Sequence, residues 1–538
     1  MHNWFKCFVF LTLFAYLSAA FAFTVSISEH GQRTDGSKLW DIWYSIEGIE
    51  VDETLSIFVD AITDSSETLT CETFIEPSDT GSIIGPGDYH IIWDFGTDIP
   101  NREFYSDWIA LYIAASNPGV VPGECNEIVM LAAGMGHSVA LRYNGTVWTW
   151  GFNESGQLGD GSTIDNDIPV QAIGPGSNNI IAIAAGHQHT VFLRVDSTVW
   201  GCGRNHRGQI GDATLTNRDI PVEVTDSIGT VFLDNVTALA AGFAHTIART
   251  SDTYMWAWGY NKSGQLGIDT AGGSGSAYDT GIDQNTPKQV LFTGGLWPLG
   301  NVLTVSAGSW HTIALRTDST IWTWGSNFNG QLGDGNHGGD DSDFDPGIDR
   351  DTPFQVLGEG GVGYLSEIIA ISAGGNHSVA LKADGTVWAW GRNYCGQLGN
   401  GSTSDRDIPV QVVGPGGAGY LTDIVAIATG KYYTIALRSD GTVWAWGDNE
   451  SGQLGYGPWG GSEDIFDSGI DRDIPTQVLG PGGIGFLSNV VSIAAGWSHT
   501  LANTTDGIIW AWGNNDYGQL GDGTDITRTT PVEVLLPW

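Results

Sequence analysis

One segment recurs seven times along this chain and restricts the possible fold more than any other feature of the sequence. A clear copy is Trp444-Ala445-Trp446-Gly447-Asp448-Asn449-Glu450-Ser451-Gly452-Gln453-Leu454-Gly455. The copies begin at Trp148, Trp200, Trp256, Trp322, Trp388, Trp444 and Trp510. Each follows an Ala-Gly-x-x-His-Ser/Thr type of segment, as in residues 373–381, and precedes a Pro that heads an apolar run, as in residues 408–413. Three motifs in a fixed order, repeated in this way, indicate a repeat architecture.

Each repeat contains four candidate strands. In the fifth repeat these are residues 368–373, 377–381, 386–390 and 410–413. The Gly that ends Trp-x-Trp-Gly recurs after 52, 56, 66, 66, 56 and 66 residues. Four short strands in a unit of this length, with Gly at the turns, are typical of a propeller blade. We therefore predict an all-β fold, with a seven-bladed β-propeller over residues 127–538 that leaves no long sheet edge exposed.

The repeated residue types predict how a blade is packed. The small Ala-Ala-Gly that ends the first strand suits a strand crowded near the central axis. The Trp-x-Trp pair places two large rings on one face of the third strand, where they would fill the space between blades. Asn-Gly or Asp-Gly before the third strand favours a two-residue hairpin turn. Those dipeptides are Asn144-Gly145, Asp384-Gly385, Asp440-Gly441 and Asp506-Gly507.

These motifs closely resemble the repeats of the regulator of chromosome condensation family, whose members are seven-bladed propellers. The resemblance covers about three quarters of the chain and is closest in context to secreted bacterial members. The departures are few, since Tyr433 stands where the other repeats have His and Cys202 replaces the second Trp of its blade. The resemblance implies the fold and a capacity to bind proteins through one face of the ring. The shared residues are those of the fold, so the exchange-factor activity of the founding member is not carried over.

The repeat is absent before about residue 123. Residues 1–22 carry Lys6, an apolar stretch and Ala20-Phe21-Ala22, which predicts a secretory signal peptide. Residues 23–116 read as short strands and predict an immunoglobulin-like β-sandwich. The segment 85–94 resembles small β-sandwich modules of secreted bacterial proteins. Residues 117–126, which include Pro118 and Pro122, predict a linker.

Charge and cysteine content restrict the partners and the compartment. The chain has 61 acidic and 21 basic residues, a formal net charge of -40, which disfavours nucleic acid and anionic membranes as partners. No segment after the signal peptide is apolar for long enough to predict membrane insertion. We therefore predict a secreted or periplasmic protein. Cys71 and Cys125 are candidates for a disulfide in an oxidising compartment, whereas Cys202 and Cys395, in distant repeats, are expected to be unpaired.

Two repeated polar patterns are interpreted as structural. Six histidines share one position of the repeat, and we expect them to bridge backbone groups where the first strand turns into the second, because metal sites need three or four convergent ligands. They are His137, His189, His245, His311, His377 and His499. The Asn-x-x-Gly-Gln-Leu-Gly segment lacks the Lys-Ser/Thr of a phosphate-binding loop and predicts a turn.

Three repeats carry acidic insertions, at residues 268–286, 334–352 and 456–474. Clustered carboxylates offer the hard oxygen ligands that Ca2+ prefers, so these insertions are candidate Ca2+ sites, with solvated acidic loops as the alternative. The candidate ligands are Asp340, Asp341, Asp343, Asp345, Asp349, Asp351, Asp464, Asp467, Asp471 and Asp473. No other cofactor is predicted.

The sequence contains no Gly-x-Ser-x-Gly, His-Glu-x-x-His or Cys-x-x-Cys segment, and we predict a protein that is not an enzyme. The leading hypothesis is a secreted binding protein that engages a protein partner through one propeller face and its variable acidic loops. The alternative is a Ca2+-dependent protein that binds carbohydrate or a cell-surface glycan. Hydrolase activity would require a carboxylate pair in a deep pocket. Photoreception is disfavoured because Ser498 stands where a plant ultraviolet photoreceptor of this family has arginine.

Overall fold

The computed structural model describes residues 128–225, 233–270, 282–292, 297–338, 349–457 and 471–537, together with strands between residues 24 and 116. Contacts divide the chain into two compact units, Met1–Glu124 and Cys125–Trp538. The predicted signal peptide, linker, Cys71 and Cys125 lie outside the described residues. Within the described part of the chain, no helix has the length and apolar character needed to cross a membrane.

The first unit contains two antiparallel sheets. One sheet joins Thr24–Gln32, Leu39–Glu47 and Gly87–Asp94 in that order. In the other, Thr54–Thr63 pairs with three further strands, namely Thr68–Thr70, Gly81–Ile84 and Ile109–Ser116. These strands agree with the all-β expectation for this region, and the immunoglobulin-like arrangement of residues 23–116 stays a prediction.

The second unit is the seven-bladed propeller that the repeat predicts. Each blade is one antiparallel sheet of four strands that are consecutive in the chain. The first strands, nearest the axis, are Ile128–Ala133, Ile180–Ala185, Val236–Ala241, Val302–Ala307, Ile368–Ala373, Ile424–Thr429 and Val490–Ala495. The second strands are His137–Arg142, His189–Arg194, His245–Thr250, His311–Arg316, His377–Lys382, Tyr433–Arg438 and His499–Thr504.

The outer half of each blade consists of the Trp-x-Trp strand and the strand that contains the repeated Pro. The third strands are Val147–Gly151, Val199–Gly203, Met255–Gly259, Ile321–Gly325, Val387–Gly391, Val443–Gly447 and Ile509–Gly513. The fourth strands are Asn166–Gln171, Arg218–Glu223, Gln284–Gln289, Arg350–Gln355, Arg406–Gln411, Arg472–Gln477 and Arg528–Glu533. Short 3-10 turns at Pro175–Ser177, Glu359–Gly361, Pro415–Gly417 and Pro481–Gly483 lie between blades.

The core of the ring lies between neighbouring blades, and the second Trp of each third strand fills it as predicted. Trp150 is fully buried, and its Nε1 donates a hydrogen bond to the carbonyl oxygen of Gln519 in the adjacent blade at 2.9 Å. The same contact to the preceding blade recurs for Trp258, Trp324, Trp390, Trp446 and Trp512. In the second blade, Cys202 is buried in this position; Cys395 is buried as well, and neither cysteine forms a disulfide. Each buried indole therefore combines a large apolar contact with a satisfied polar group.

The repeated histidines link each blade to the next. Nε2 of His137 lies 3.0 Å from Oγ1 of Thr190, and that hydroxyl donates its own proton to the carbonyl oxygen of Gln157 at 2.7 Å. The hydroxyl must therefore accept from Nε2–H. Burial lowers the pKa of His137 to about 4, so this imidazole is neutral at physiological pH. The partner is a hydroxyl of the neighbouring blade, not backbone as expected. Equivalent contacts are His189–Thr246, His245–Thr312, His311–Ser378, His377–Thr434 and His499–Ser138.

The turn between the second and third strands differs from the predicted two-residue hairpin. The backbone N–H of Arg142 bonds to the carbonyl oxygen of Thr146, and that of Gly145 to the carbonyl oxygen of Arg142, both at 2.9 Å, so the loop has three residues. Only Gly145, with φ of 74°, has positive φ, whereas a type I′ turn would require it at Asn144 as well. The prediction is wrong because a three-residue turn with a left-handed last residue uses the same Asn-Gly pair.

Candidate functional site

The two faces of the ring differ in what they carry. The first and third strands run towards one face, which we call the turn face because it carries the Ala-Gly-x-x-His turns. The loops that join third to fourth strands lie on the same face, so all three acidic insertions start and end there. The opposite face, the hairpin face, carries the turns between second and third strands. The fold therefore brings the variable loops to one side of the disc.

Small residues surround the axis, as predicted from Ala-Ala-Gly. A cavity of about 110 Å³ on the axis is lined by the end of the first strand in every blade and by residues of the following turns. Backbone hydrogen bonds connect these turns from blade to blade, for example from the N–H of Met135 to the carbonyl oxygen of His187 at 3.2 Å and from the N–H of Trp497 to that of Gly134 at 3.1 Å. The turn backbone is thus satisfied around the axis, and the side chains of the turns determine what the mouth presents.

Five rings meet at this mouth, and we call them the aromatic cluster: His187, Phe243, Tyr260, Trp310 and Trp497. The ring of His187 lies 4.2 Å from Phe243 and 4.2 Å from Trp497, measured between centroids. Trp310 lies 4.5 Å from Phe243 and 5.5 Å from Tyr260. Tyr260 is buried and the other four rings are partly exposed. The cluster joins blades 2, 3, 4 and 7, so it extends across the opening of the axial cavity on the turn face.

Cationic side chains border the aromatic cluster. Arg207 lies 4.5 Å from the Tyr260 ring centroid and also forms an ion pair with Asp283 at 3.0 Å. The Nζ atom of Lys431 lies 4.5 Å from the centroid of Trp497, and 4.8 Å from that of Tyr432. The guanidinium of Arg392 lies 4.7 Å from the centroid of the Tyr432 ring. Cations over aromatic faces are held in place by the ring quadrupole, so this border has a defined geometry.

The electrostatic environment of the cluster is locally positive. Burial lowers the pKa of His187 to about 3, and the positive charges of Arg204 and Lys431 contribute. Burial, together with Arg204 and Arg207, lowers the pKa of His206 to about 4. Both imidazoles are therefore neutral at physiological pH. His187 therefore contributes a neutral aromatic ring to the cluster, and Arg204 and Lys431 are the nearby cations.

The sequence motifs did not predict the aromatic cluster or its cationic border. Most cluster and border residues occupy the two variable positions of Ala-Gly-x-x-His, or the position after Trp-x-Trp-Gly, within the most regular part of the repeat. They include His187, Phe243, Trp310, Lys431, Tyr432 and Trp497 in the turns, and Arg204, Tyr260 and Arg392 after the third strand. The signal was available, because aromatic and basic residues are concentrated at positions that the scaffold leaves free to vary.

The Asn-x-x-Gly-Gln-Leu-Gly segment forms the predicted turn. The Asn153 side-chain oxygen accepts the Leu158 N–H at 3.0 Å, and the Gln157 side-chain oxygen accepts the Ser155 N–H at 3.0 Å. Gly156 has φ of 83°, which a residue with a side chain adopts only with strain. The side-chain amides therefore bond the loop to itself, and the segment positions the fourth strand.

Four of the predicted Ca2+ ligands belong to this loop system. Asp349 and Asp471 each accept the backbone N–H of the Asn that starts the loop, at 2.8 and 3.1 Å. Asp165 makes the same contact in the first blade, which has no insertion. Burial, with Asp448 nearby, raises the pKa of Asp471 to about 7. One carboxylate oxygen of each residue thus has a role that does not involve metal.

The eight predicted ligands other than this pair fall into two groups, those at the start of fourth strands and those outside the described residues. Asp351 and Asp473 lie at the start of fourth strands, and their carbonyl oxygens accept backbone bonds from Asp269 and Gly401 in the preceding blade. The other six lie outside the described residues, namely Asp340, Asp341, Asp343, Asp345, Asp464 and Asp467. Over the residues that the structure does describe, no group of three or more His, Cys, Asp or Glu side chains is arranged to hold a metal ion. Ca2+ binding by the insertions stays a prediction.

Comparison with known families gives consistent matches over the propeller. Residues 144–193 and 196–249 match the model of the regulator of chromosome condensation (RCC1) repeat. A second model of that repeat matches residues 128–157, 180–209 and 236–265. The model of the RCC1-like domain matches residues 270–537. All of these matched segments lie within the second unit.

Among curated proteins, the ultraviolet-B receptor UVR8 of Arabidopsis thaliana is 29% identical over 413 residues, which cover 76% of this chain and 82% of the receptor. The human E3 ubiquitin-protein ligase HERC2 is 28% identical over 383 residues, 71% of this chain but only 7% of the ligase. Among solved structures, yeast RCC1 (Prp20) bound to Kap60 has a TM-score of 0.55 and 19% identity, covering 81% of this chain and 91% of that one. At this identity the structural likeness shows the fold alone.

Proposed function

Because the propeller repeats of this chain belong to the regulator of chromosome condensation repeat family, we propose that the protein is a non-enzymatic binding protein that engages a protein partner through its turn face. The observation that carries this proposal is the aromatic cluster with its cationic border. Large rings and Arg are the side chains that contribute most to protein interfaces. Four partly exposed rings that contact one another on one face, with cations beside them, favour a contact site.

Relatives support protein binding in general terms. Yeast RCC1 (Prp20) has been solved in complex with Kap60, and Prp20p has been studied for its binding to Gsp1p and histones. Those partners are properties of the yeast protein, and the residues that this chain places at its turn face are its own. The contribution of the acidic insertions to binding remains part of the proposal, since the insertions start and end on the same face.

We further propose that the protein acts outside the cytoplasm, in the periplasm or as a secreted protein, on the basis of the predicted signal peptide at residues 1–22. Fractionation of cells that express the full chain tests this localisation. The mature protein should begin near residue 23 and should be absent from the cytoplasm. Recovery of the uncleaved chain in the cytoplasm would contradict it.

The binding proposal is tested by comparing the two faces of the full-length protein. The Trp310→Ala/Trp497→Ala variant truncates the cluster. The Leu303→Ala/Tyr364→Ala variant removes apolar groups that are 50% and 55% exposed on the opposite side of the disc. A partner captured from the native extracellular fluid should be identified, purified and titrated against each variant. We expect the cluster variant to lose at least about tenfold in affinity, as for hot-spot residues, and the hairpin-face variant to bind as the wild type does. The reverse pattern would refute the proposal.

The Ca2+-dependent glycan hypothesis is kept as the alternative, and no described contact favours it over protein binding. It is separated from the leading proposal by a glycan array probed with the full chain in Ca2+ and in chelator. A Ca2+-dependent signal that survives truncation of Trp310 and Trp497 would favour the alternative.

A further inference from the structure

Among the described residues, three cations beside the aromatic cluster have no carboxylate partner, in a chain where acidic residues outnumber basic ones by 61 to 21. Over the described residues, Arg204, Arg392 and Lys431 form no ion pair, although their side chains are only partly exposed. Asp448 exerts an electrostatic effect on Lys431 without an ion pair being formed. Partly buried cations are costly to leave without a counter-charge, so the composition makes this grouping informative.

Seven cations on the rim and on the hairpin face form ion pairs within the described residues. On the outer strands, Arg218 pairs with Asp212 at 2.6 Å and Arg528 with Asp522 at 2.7 Å. Further pairs are Arg194–Asp196, Arg316–Asp318, Arg350–Asp334, Lys382–Glu367 and Arg438–Asp423. These seven cations have a local carboxylate, whereas Arg249 donates to a carbonyl and a hydroxyl oxygen. Arg204, Arg392 and Lys431 differ from Arg249 in that they lie together beside the aromatic cluster.

The unpaired cations are held by neutral groups. Nη1 of Arg204 donates to the side-chain oxygen of Gln188 at 2.5 Å, and its Nε donates to Nδ1 of His206 at 2.9 Å. Lys431 and Arg392 lie over aromatic rings. These contacts orient the cations without neutralising them. Arg204 bonds to Gln188, the residue that follows His187, and Lys431 lies over Trp497, whose ring contacts His187, so both cations are neighbours of the ring at the centre of the cluster.

We propose that the turn face recognises an acidic segment of a partner protein, with a carboxylate over His187 between Arg204 and Lys431 and an apolar side chain against Phe243 and Trp310. This inference rests on the proposed function and adds the chemistry of the partner. The ligand charge is opposite to what the net charge of the chain predicts, since a surface of charge -40 attracts basic partners at long range. Carboxylate pairing gives specificity at the centre, and the apolar contact gives affinity.

The conflict between local and overall charge gives a direct test. A random peptide library displayed on phage is selected against the full-length protein, and the enriched peptides are synthesised and titrated. If the overall charge governs binding, the enriched peptides will be rich in Lys and Arg. We expect instead peptides that combine Asp or Glu with aromatic or large aliphatic residues. Their dissociation constants should increase as salt is added, because charge pairing is screened.

Variants at two of the three cations test whether these cations bind the acidic peptides. We expect Lys431→Gln and Arg204→Gln each to weaken binding of the acidic peptides about tenfold or more. Arg438→Gln on the hairpin face, where Arg438 pairs with Asp423 at 2.9 Å, is the matched control and should have no effect. Neutral or basic peptides that bind in a manner dependent on Trp310 would refute the acidic partner and leave the proposed function standing. If no enriched peptide depended on Trp310, Lys431 or Arg204, both would fall.

Discussion

The Nε2 atom of His499 lies 2.9 Å from the Oγ atom of Ser138, although the two residues are 361 positions apart in the chain. This contact joins the last blade to the first. It is the contact that joins five other pairs of neighbouring blades, as in His137 and Thr190. In the sixth blade the hydroxyl of Tyr433 donates to the carbonyl oxygen of His499 and accepts from Thr500. Since each blade is contiguous in sequence, the ring closes through side chains, packing and backbone hydrogen bonds such as that from Trp497 to Gly134, with no strand exchanged between its ends.

Ser138→Ala should weaken this closure. The substitution removes the acceptor for His499 and the donor to the carbonyl oxygen of Gln519, which lies 2.8 Å from the Ser138 hydroxyl. Leaving buried polar groups without partners should lower the free energy of unfolding by about 1–3 kcal/mol, measured by urea denaturation. Ser138→Thr is the matched control, because Thr190 and Thr246 make the equivalent contact. An equal loss in the Thr variant would show that the contact is not responsible.

Acid should destabilise the propeller through its six buried histidines. Burial lowers the pKa of His137 to about 4 and that of His189 to about 3, and His245, His311, His377 and His499 behave like His189. A depressed histidine pKa means that the unfolded chain binds more protons than the folded one below pH 6.5. Stability is therefore complete above the unfolded pKa and falls as the pH decreases towards the folded one, by about 2 kcal/mol per histidine at pH 5.

The dependence on pH is checked by denaturation at a series of pH values between about 7 and 4.5. The control is His311→Tyr, which copies the side chain that the sixth blade uses at this position. This variant should lose stability less steeply in acid, because one of the groups that takes up a proton on unfolding has been removed. An unchanged slope would exclude His311 as a source of the acid sensitivity.

The sequence predicts the scaffold well because every repeated position experiences nearly the same environment seven times. Trp390 and Trp446 pack alike, and the repetition of their motif makes the role of each evident. The two-residue turn at Asn144-Gly145 is predicted wrongly because the same dipeptide suits two turn types, which differ in loop length and in the sign of φ at Asn144. The roles of Asp349 and Asp471 in the loop become visible only when the repeats are aligned with Asp165.

The aromatic cluster is harder to predict for a physical reason. Its members occupy positions where the repeats disagree, so periodicity carries no information about them. His187 and Trp497 belong to the second and seventh blades, yet their ring centroids are 4.2 Å apart. That proximity follows from closure of the ring, which places the second and seventh blades on either side of the first. A pattern within one repeat cannot show which residues meet across the axis.

The second blade offers a test of compensation in the core. Cys202 stands where the other blades have Trp, and Phe192 stands where they have Ala. Both side chains are fully buried in the same cluster against the first blade, so the larger Phe occupies space that the missing indole leaves. Cys202→Trp alone should overpack this site and lower the free energy of unfolding by about 1–3 kcal/mol. Cys202→Trp combined with Phe192→Ala should recover most of that loss.

A double-mutant cycle measures the compensation. Phe192→Ala alone should create a cavity and destabilise the protein by about 3 kcal/mol or more. The two single losses should exceed the loss in the double variant, with a coupling energy of about 1–3 kcal/mol. Simple additivity of the two effects would mean that Phe192 does not fill the space left by the indole.

Gly308 should tolerate no side chain, because it packs against the His311 ring of its own blade and the backbone of the next blade. An added Cβ would lie 2.4 Å from Cε1 of His311 and 2.5 Å from the carbonyl oxygen of Gly374 in the next blade. Gly308→Ala must therefore displace the imidazole that bonds to Ser378 at 3.0 Å, or separate two blades at the axis. We expect a loss of about 2–4 kcal/mol in the free energy of unfolding. Gly300→Ala is the matched control, since the nearest heavy atom to its Cβ, on Tyr254, is 3.4 Å away and its φ is not positive. If Gly308→Ala and Gly300→Ala were equally stable, the blades would accommodate a side chain at the axis, and the close contacts at Gly308 would not limit packing there.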